Sequence, residues 1–380
     1  MSQTRRPRIG ISGSYGGLNL GDEAILEGIL TRLRASIDAE ITVFSRNAAD
    51  TSARIDVDRV VPVRSLTRKE IAPEVGELDL LILGGGGILY DGEAETYLRE
   101  VFLAHDAGVP VLLYAISAGP LASETSRRAV RDALNASPTT IVTVRDRLAY
   151  RLLEDVGVVR DIQLVADPAF LLEPAELAAG ALEAEGVHRG RELVGFSVRE
   201  PGPAAPDIDP DEYHALLANT ADFMVDRYNA DVVFVPMERA DLRHSHAVVA
   251  HMQNADRVEV LRRRYSPRQI LALMDRFDFV VGMRLHFLIF ATLRGTPFAA
   301  LPYATKVTGL LEELEIERPP LGNISAGGLI AEVDRSWDNR DRIRTTIASH
   351  LPPVEQRAKV PNELVLARLR ALGFAVPASG

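Results

Sequence analysis

Short apolar runs alternate along the chain with longer segments whose apolar positions recur at helical spacing. In the first half the apolar runs are Arg8–Ser12, Ile41–Ser45, Leu78–Leu83, Pro110–Ile116, Thr139–Val144 and Ile162–Ala166. The helical segments are Asp22–Arg34, a stretch that ends near His105, Thr125–Asn135 and Arg147–Val156. Because runs rich in Val, Ile and Leu are typical of buried parallel strands, this alternation predicts a parallel sheet covered by helices.

The same alternation restarts after a change in composition. Residues 173–190 are rich in Ala, Glu and Gly, so we expect one domain over residues 1–178 and another over residues 190–380. The later apolar runs are Leu193–Val198, Asp231–Pro236, Val258–Leu261, Phe277–Val281 and Pro297–Pro302. The later helical segments are Asp211–Tyr228, Pro267–Arg276, Leu285–Arg294 and a mostly helical tail over about Ala326–Leu372. The predicted fold class is α/β, with two doubly wound Rossmann-like domains that face a cleft.

Ligands of open α/β sheets bind at the carboxyl ends of the strands, so the residues that follow each strand are the candidates. After the first strand comes a glycine-rich loop that matches neither the dinucleotide fingerprint nor the P-loop. Its Gly16 would let a ligand approach the backbone, and Asn19, Asp22 and Glu23 lie where the next helix begins. Carboxylates there would repel a phosphate, so this loop either caps the helix or contacts sugar hydroxyls.

A run of four glycines, Gly84–Gly87, follows the strand Leu78–Leu83. Consecutive glycines are costly in a fold unless the backbone geometry requires them. The run is therefore interpreted as a tight turn, which either lies beneath a ligand or simply joins a strand to a helix. Gly85, Gly86 and the nearby Asp91 are candidate acceptor-binding residues.

The segment Gly282–His286 combines an arginine and a histidine at a strand end. The strand ends near Val281 and a helix begins near Leu285, so Arg284 and His286 are expected at a helix N-terminus, which favours anions. Arg284 could bind a carboxylate or a phosphate with two hydrogen bonds, and His286 could transfer a proton near neutral pH. The alternative is that Arg284 pairs with a surface carboxylate and that His286 is an inward-facing histidine of the fold.

Other basic and imidazole side chains complete the candidates. Arg199 ends the first strand of the second domain, and Lys306, one of three lysines in the chain, follows its last strand. Either could contact a further anionic group; the alternatives are that Arg199 is a solvated arginine at a strand end and that Lys306 is an ordinary surface lysine. His244, His246 and His251 have the composition of a metal site, but only two of them share one helix face. They are therefore interpreted as part of a solvated helix surface.

Charge and composition exclude several classes of function. The chain has 380 residues with 43 Lys+Arg and 53 Asp+Glu, a net charge of −10, which argues against sequence-independent nucleic-acid binding. It has no cysteine, which excludes disulfides, thiolate metal ligands and a thiol nucleophile. No apolar core of a signal peptide and no run of about 18 apolar residues is present, so we expect a soluble, cytoplasmic protein.

Taken together, these segments resemble the polysaccharide pyruvyl transferase family. The resemblance covers about residues 8–315. Its motifs are Asn19–Glu23, the strand and glycine run Leu81–Gly87, Ala166–Pro168, the strand that ends in Arg199, Gly282–His286 and Pro302–Val307. It implies a fold similar to that of GT-B glycosyltransferases. It also implies that phosphoenolpyruvate is the donor and that its pyruvyl group is moved onto sugar hydroxyls as a ketal, with release of phosphate.

By the same resemblance, Arg284 and His286 would carry catalysis in the second domain. Arg199, Leu285 and Lys306 would join them in binding phosphoenolpyruvate, which is a co-substrate, so we expect no cofactor. No metal-binding residue is assigned, and the metal dependence of the reaction is left open. The acceptor, on the side of the first domain, would be a nucleotide-linked, lipid-linked or polymeric sugar. A lipid-linked acceptor would bring the enzyme to a membrane surface.

Two other functions remain compatible with these residues, because a fold does not fix a function. One is a GT-B glycosyltransferase with a nucleotide-sugar donor, and the other is a non-catalytic sugar-binding relative. The second proton carrier of a ketal-forming enzyme is open between Asp22, Glu23 and Asp91. The acceptor sugar and the oligomeric state are also open.

Overall fold

The computed structural model describes residues 5–188, 190–200, 209–301, 305–317 and 325–376. By their contacts these residues form two units, with a boundary between Leu172 and Glu173 and a return of the chain to the first unit at Val354. The sequence pattern places the boundary within residues 173–190, with domains over residues 1–178 and 190–380. Each unit is built on one parallel sheet.

The sheet of the first unit has eight strands. They are β1 (Arg8–Ser12), β2 (Glu40–Ser45), β3 (Arg59–Pro62), β4 (Leu80–Leu83), β5 (Gly86–Leu89), β6 (Val111–Ala118), β7 (Ile141–Val144) and β8 (Ile162–Leu164). The order is β3-β2-β1-β4-β6-β7-β8, with β5 paired to β6, and all pairs are parallel. The strand order reverses between β1 and β4, which is where such sheets bind ligands.

Helices cover this sheet on both sides. They are α1 (Leu20–Ser36), α2 (Ala48–Arg54), α3 (Arg68–Gly76), α4 (Ala94–Asp106), α5 (Glu124–Asn135) and α6 (Arg147–Val156), with a 3-10 turn at Pro168–Leu171. The sequence pattern misses α2, β3 and α3. Helix α3 explains why: it contains Pro73 and buries only Ile71 and Val75, which is too little apolar periodicity to detect.

The second unit repeats the design with five strands. They are β9 (Leu193–Ser197), β10 (Asp231–Phe234), β11 (Val258–Val260), β12 (Phe279–Gly282) and β13 (Phe298–Ala300). The helices are α7 (Pro210–Tyr228), α8 (Arg239–His251), α9 (Pro267–Leu273), α10 (Leu285–Arg294), α11 (Thr305–Glu313), α12 (Ala326–Asp338) and α13 (Arg340–Ala371). The strand order is β11-β10-β9-β12-β13, all parallel, so here the order reverses between β9 and β12.

The C-terminal tail departs from the sequence-based assignment, which gives all of it to the second domain. Helix α13 begins in the second unit, but from Val354 onward the chain belongs to the first. The reason is burial: Val365, Leu366, Leu369 and Phe374 lie in one apolar core with residues of α1 and β1. Within the described ranges, no helix is both long enough and apolar enough to cross a bilayer.

Gly28 in α1 generates a prediction about how this fold is held. A Cβ built on Gly28 would lie 2.3 Å from the carbonyl oxygen of Pro168, so α1 packs directly on the 3-10 turn. Gly28→Ala should lower the free energy of unfolding by about 1–3 kcal/mol, as overpacking does. Gly76→Ala is the control, because a Cβ there would meet nothing closer than 3.9 Å.

The control variant should be neutral or more stable by up to about 1 kcal/mol, since Ala favours helix over Gly. Urea denaturation of both variants measures the difference. Equal stability of the two would contradict the close packing of α1 on the turn.

Candidate functional site

Five charged residues meet at the carboxyl edge of the second unit's sheet. Arg199 and Glu200 follow β9, Glu238 and Asp241 follow β10, and Arg284 follows β12. Because β9 lies between β10 and β12 in a parallel sheet, all three strands end at the same edge. We call these five residues the carboxyl-edge cluster. It occupies the point where the strand order reverses.

Arg284 is the centre of the cluster. Its Nε donates to Asp241 Oδ2 at 3.0 Å, and its Nη2 donates to Asp241 Oδ1 and to Glu238 Oε1. The Arg284 side chain is 11% exposed and that of Asp241 is 0% exposed. Nη1 of Arg284 donates to no oxygen among the described residues, so its two N–H groups can be offered to a ligand. Burial acts to lower the pKa of Arg284, but the two carboxylates outweigh burial and raise that pKa.

The backbone at the start of α8 holds Asp241 in place. Glu238 is the N-cap of α8 and forms a reciprocal capping box with Asp241. Asp241 Oδ2 also accepts the backbone N–H of Met237 at 3.1 Å and that of Glu238 at 3.2 Å. Burial raises the pKa of Asp241 against the opposing effect of Arg284. Sequence reasoning missed both acids, although the E-x-x-D spacing directly after a strand was a readable signal.

Arg199 follows the strand next to that of Arg284 and is more exposed to solvent. It pairs with Glu200, and its side chain is 30% exposed. Burial acts to raise the pKa of Glu200, but the Arg199 guanidinium outweighs it and lowers that pKa. The hydroxyl of buried Tyr213 donates to the Arg199 carbonyl at 3.1 Å and lies 2.9 Å from Met283 Sδ. Tyr213 therefore ties the end of β9 to the end of β12.

The other predicted donor residues are Leu285, His286 and Lys306. Arg284 is the N-cap of α10, so Leu285 and His286 form its first turn, as the sequence predicts. Lys306 is exposed on α11. The backbone N–H of Leu301 donates to the Gly282 carbonyl at 2.8 Å, so the chain leaves β13 beside the cluster. The motif residues 302–304 lie outside the described residues.

The carboxylates of Glu200, Glu238 and Asp241 are close enough to share a metal ion, with oxygens within 4.8 Å of one another. Arg199 and Arg284 donate to these same carboxylates. Two guanidinium groups against three carboxylates leave one net negative charge. The arginines therefore supply the compensation that a cation would otherwise give, and we assign no metal here.

A pair of buried histidines lies between α7 and α8 near the cluster. His214 Nε2 and His244 Nδ1 are 3.0 Å apart, and both rings are buried. The sequence-based interpretation of a solvated surface is wrong for His244, whose side of α8 packs on α7, and it is confirmed for His246 and His251, which are exposed. Burial lowers the pKa of both His214 and His244.

In the first unit, Asn19 and Glu23 support the glycine-rich loop. Asn19 caps α1 by accepting the N–H of Gly21 at 2.9 Å. Glu23 is fully buried, accepts the N–H of Gly16 at 2.9 Å and pairs with Arg54 at 3.1 Å. Burial raises the pKa of Glu23, with Arg54 opposing. These contacts favour the capping interpretation for both residues.

The glycine run is not a simple turn, because Gly86 begins strand β5. A Cβ on Gly85 would lie 3.0 Å from the Tyr114 carbonyl oxygen, and Gly86 has φ +100°, so this backbone requires glycine. A Cβ on Gly86 would lie 3.5 Å from Asp22 Oδ1, which places Asp22 at the same edge.

Asp91 instead holds the loop after β6. Its carboxylate accepts the N–H groups of Ala122 at 2.7 Å and Ser123 at 3.1 Å. The Asp91 N–H donates to the Pro120 carbonyl at 3.0 Å, so both the side chain and the backbone of Asp91 are hydrogen-bonded to this loop. The position of Asp91 is therefore explained by the fold.

Comparisons with known proteins agree with this architecture. The sequence profile of the polysaccharide pyruvyl transferase family matches residues 19–305. Amylovoran biosynthesis protein AmsJ of Erwinia amylovora is 21% identical over 319 residues, which cover 80% of this chain and 76% of that protein.

Two solved structures are similar at low identity. UDP-GlcNAc 2-epimerase from Neisseria meningitidis, bound to UDP-GlcNAc, has a TM-score of 0.61 and 10% identity, and the match covers 95% of this chain and 100% of that chain. MnaA from S. aureus with UDP has a TM-score of 0.64 and 11% identity, with 98% of each chain covered. They show the fold, which is α/β with two Rossmann-like domains of the GT-B type, as the sequence predicts.

The burial of the Asp241–Arg284 pair leads to a stability prediction. Asp241→Asn would leave the Arg284 guanidinium poorly compensated, so the free energy of unfolding should fall by about 3–5 kcal/mol. The control is Asp275→Asn, which breaks an Arg294–Asp275 pair whose side chains are 33% and 45% exposed. That control should cost about 1 kcal/mol or less. Urea denaturation measures both, and equal losses would contradict a special role for the buried pair.

Proposed function

The chain belongs to the polysaccharide pyruvyl transferase family, and on that premise we propose that it transfers the pyruvyl group of phosphoenolpyruvate onto sugar hydroxyls as a ketal. Family membership and the amylovoran biosynthesis relative support the broader statement of a transferase that modifies a glycan. The observation that carries the finer proposal is the convergence of Arg199 and Arg284 at the carboxyl edge of one sheet, with His286 in the adjacent helix turn.

Phosphoenolpyruvate has two anionic groups, a carboxylate and a phosphate. Arg284 offers Nη1 for one of them, because Asp241 and Glu238 occupy only its Nε and Nη2. Arg199 donates from Nη2 to Glu200, and within the described ranges its other N–H groups have no hydrogen-bond partner; its side chain is 30% exposed. Two guanidinium groups at the same sheet edge suit a ligand with two anionic ends, and the N-terminus of α10 adds a favourable field.

Ketal formation requires protons to move in both directions. A proton added to the methylene carbon of the donor makes the adjacent carbon electrophilic, the two sugar hydroxyls form C–O bonds to that carbon, and its bond to the phosphate oxygen breaks. The two hydroxyl protons reappear in the new methyl group and in the released hydrogen phosphate. We assign His286 to one proton transfer, and one such group contributes roughly 10²–10⁴-fold.

The second proton carrier is proposed from position. Glu23 is fully buried and accepts the Gly16 N–H, and Asp91 accepts two N–H groups of the loop after β6. Asp22 is half-buried and lies near Gly86 at the carboxyl edge of the first unit's sheet. We propose Asp22 for the acceptor side because of this position, with Glu23 and Asp91 as the alternatives.

Donor binding is tested by thermal unfolding with phosphoenolpyruvate. At about 100 times its dissociation constant a ligand adds roughly 2.7 kcal/mol of stability, which raises the melting temperature of the wild type by a few degrees. Arg284→Lys and Arg199→Lys should each weaken binding by at least about tenfold, because an ammonium group cannot form the two parallel hydrogen bonds of a guanidinium group. Arg294→Lys is the control, since Arg294 pairs with Asp275 away from the cluster.

Other outcomes of the thermal-unfolding experiment would favour one of the alternative functions or contradict the donor site. Stabilisation by UDP- or GDP-sugars without any response to phosphoenolpyruvate would favour the glycosyltransferase. No response to either donor, with a response to sugars, would favour the non-catalytic relative. An unchanged shift in Arg284→Lys would overturn the assignment of the donor site.

A further inference from the structure

The buried histidine pair is close enough to the carboxyl-edge cluster to share its electrostatics. His244 interacts with the charges of Glu200, Arg199 and Arg284. It lies three residues after Asp241 on α8, so both project from the same side of that helix. Neither histidine has a part in the chemistry assigned above.

Hydrogen bonding within the pair fixes its protons. His214 Nδ1 is buried without a hydrogen-bond partner among the described residues. A proton on that atom would be an unsatisfied buried donor, which is costly. His214 therefore carries its proton on Nε2 and donates it to His244 Nδ1. Neutral His244 must then carry its own proton on Nε2.

The same geometry keeps the pair neutral. Only one proton can lie between His214 Nε2 and His244 Nδ1. One added proton would therefore either put an N–H on His214 Nδ1 or break the hydrogen bond between the two rings. The charged groups that act on the pair are Asp211, His251, Arg243, Arg199, Glu200 and Arg284. Four of these six are basic, so they add to burial in disfavouring a positive charge on the pair.

Nε2 of His244 is then a neutral N–H donor with a fixed orientation. It makes no hydrogen bond to any residue in the described part of the chain, and residue His244 is 7% exposed. We propose that His244 donates this hydrogen bond to an anionic oxygen of the donor substrate, and that His214 is the positioning residue that sets its tautomer. The proposal rests on the proposed function, since it names a further contact at that donor site.

This contact suits the charge of the cluster. Three carboxylates against two guanidinium groups disfavour an additional anion, so each added N–H donor matters. A lysine at this position would form ion pairs with Glu200 or Asp241. A neutral N–H donor can bind the anion without doing so. The histidine pair therefore adds affinity for an anion while leaving the ion pairs of Arg199 and Arg284 intact.

The test compares phosphoenolpyruvate affinity, measured by calorimetry, among variants of the full chain. His244→Phe should weaken binding by about tenfold or more, as expected for one lost hydrogen bond to a charged group. His244→Gln, whose amide N–H can take the place of Nε2–H, should stay within about threefold of the wild type. His246→Phe, on the exposed side of α8, should bind as the wild type does.

His214→Leu tests the positioning role through a pH profile. Without its partner, His244 Nδ1 becomes free to take up a proton, and a cation there attracts the anion. The dissociation constant of the variant divided by that of the wild type should therefore decrease as the pH is lowered from 8 to 6. The ionisation of the ligand cancels in this ratio. A ratio independent of pH would contradict the positioning role.

A measurement on the wild type avoids variants that fail to fold. Histidine-selective ¹⁵N labelling should show both rings neutral and protonated at Nε2 at pH 7, with the His244 signal shifting when phosphoenolpyruvate is added. If the wild type binds phosphoenolpyruvate and His244→Phe binds it equally well, this inference is overturned and the proposed function is not. Failure of the wild type to bind phosphoenolpyruvate would overturn the proposed function as well.

Discussion

The buried ion pair between Arg284 and Asp241 is the constraint on which the candidate site depends. A carboxylate with no exposed surface and a guanidinium with little must satisfy each other, because either one alone would be a charge in a poorly solvated position. Asp241 is fixed by the capping box of α8, and Arg284 is fixed as the N-cap of α10. The pair thus sets the start of one helix against the start of another across the end of the sheet.

This arrangement explains why one arginine can serve both the fold and a ligand. Asp241 and Glu238 use Nε and Nη2, and the remaining nitrogen points its N–H groups in the plane that these bonds define. A lysine could neutralise Asp241, but its ammonium group has no further N–H groups held in a fixed direction for a ligand. The excess of carboxylates keeps the guanidinium charged and oriented before any ligand arrives. Preorganised donors of this kind stabilise a bound or developing anion without reorganisation.

The sequence predicts well those features that depend on local pattern. The limits of α10 are predicted as Leu285–Arg294 and found there, and Arg199 and Arg284 are expected at strand ends and lie at one sheet edge. What it misses depends on partners far along the chain. Arg284 meets Glu238 and Asp241, more than 40 residues away, and His214 meets His244, 30 residues away. Gly86 and the tail after Val354 likewise owe their places to β6 and α1, which no local pattern reveals.

A crystal structure of the chain with phosphoenolpyruvate tests the central claim most directly. The account predicts an anionic group of the donor about 3 Å from Arg284 Nη1. It also predicts the other anionic group on Arg199, with Asp241 still bonded to Nε and Nη2 of Arg284. Donor bound away from the carboxyl edge, or donor that displaces Asp241 from Arg284, would contradict it.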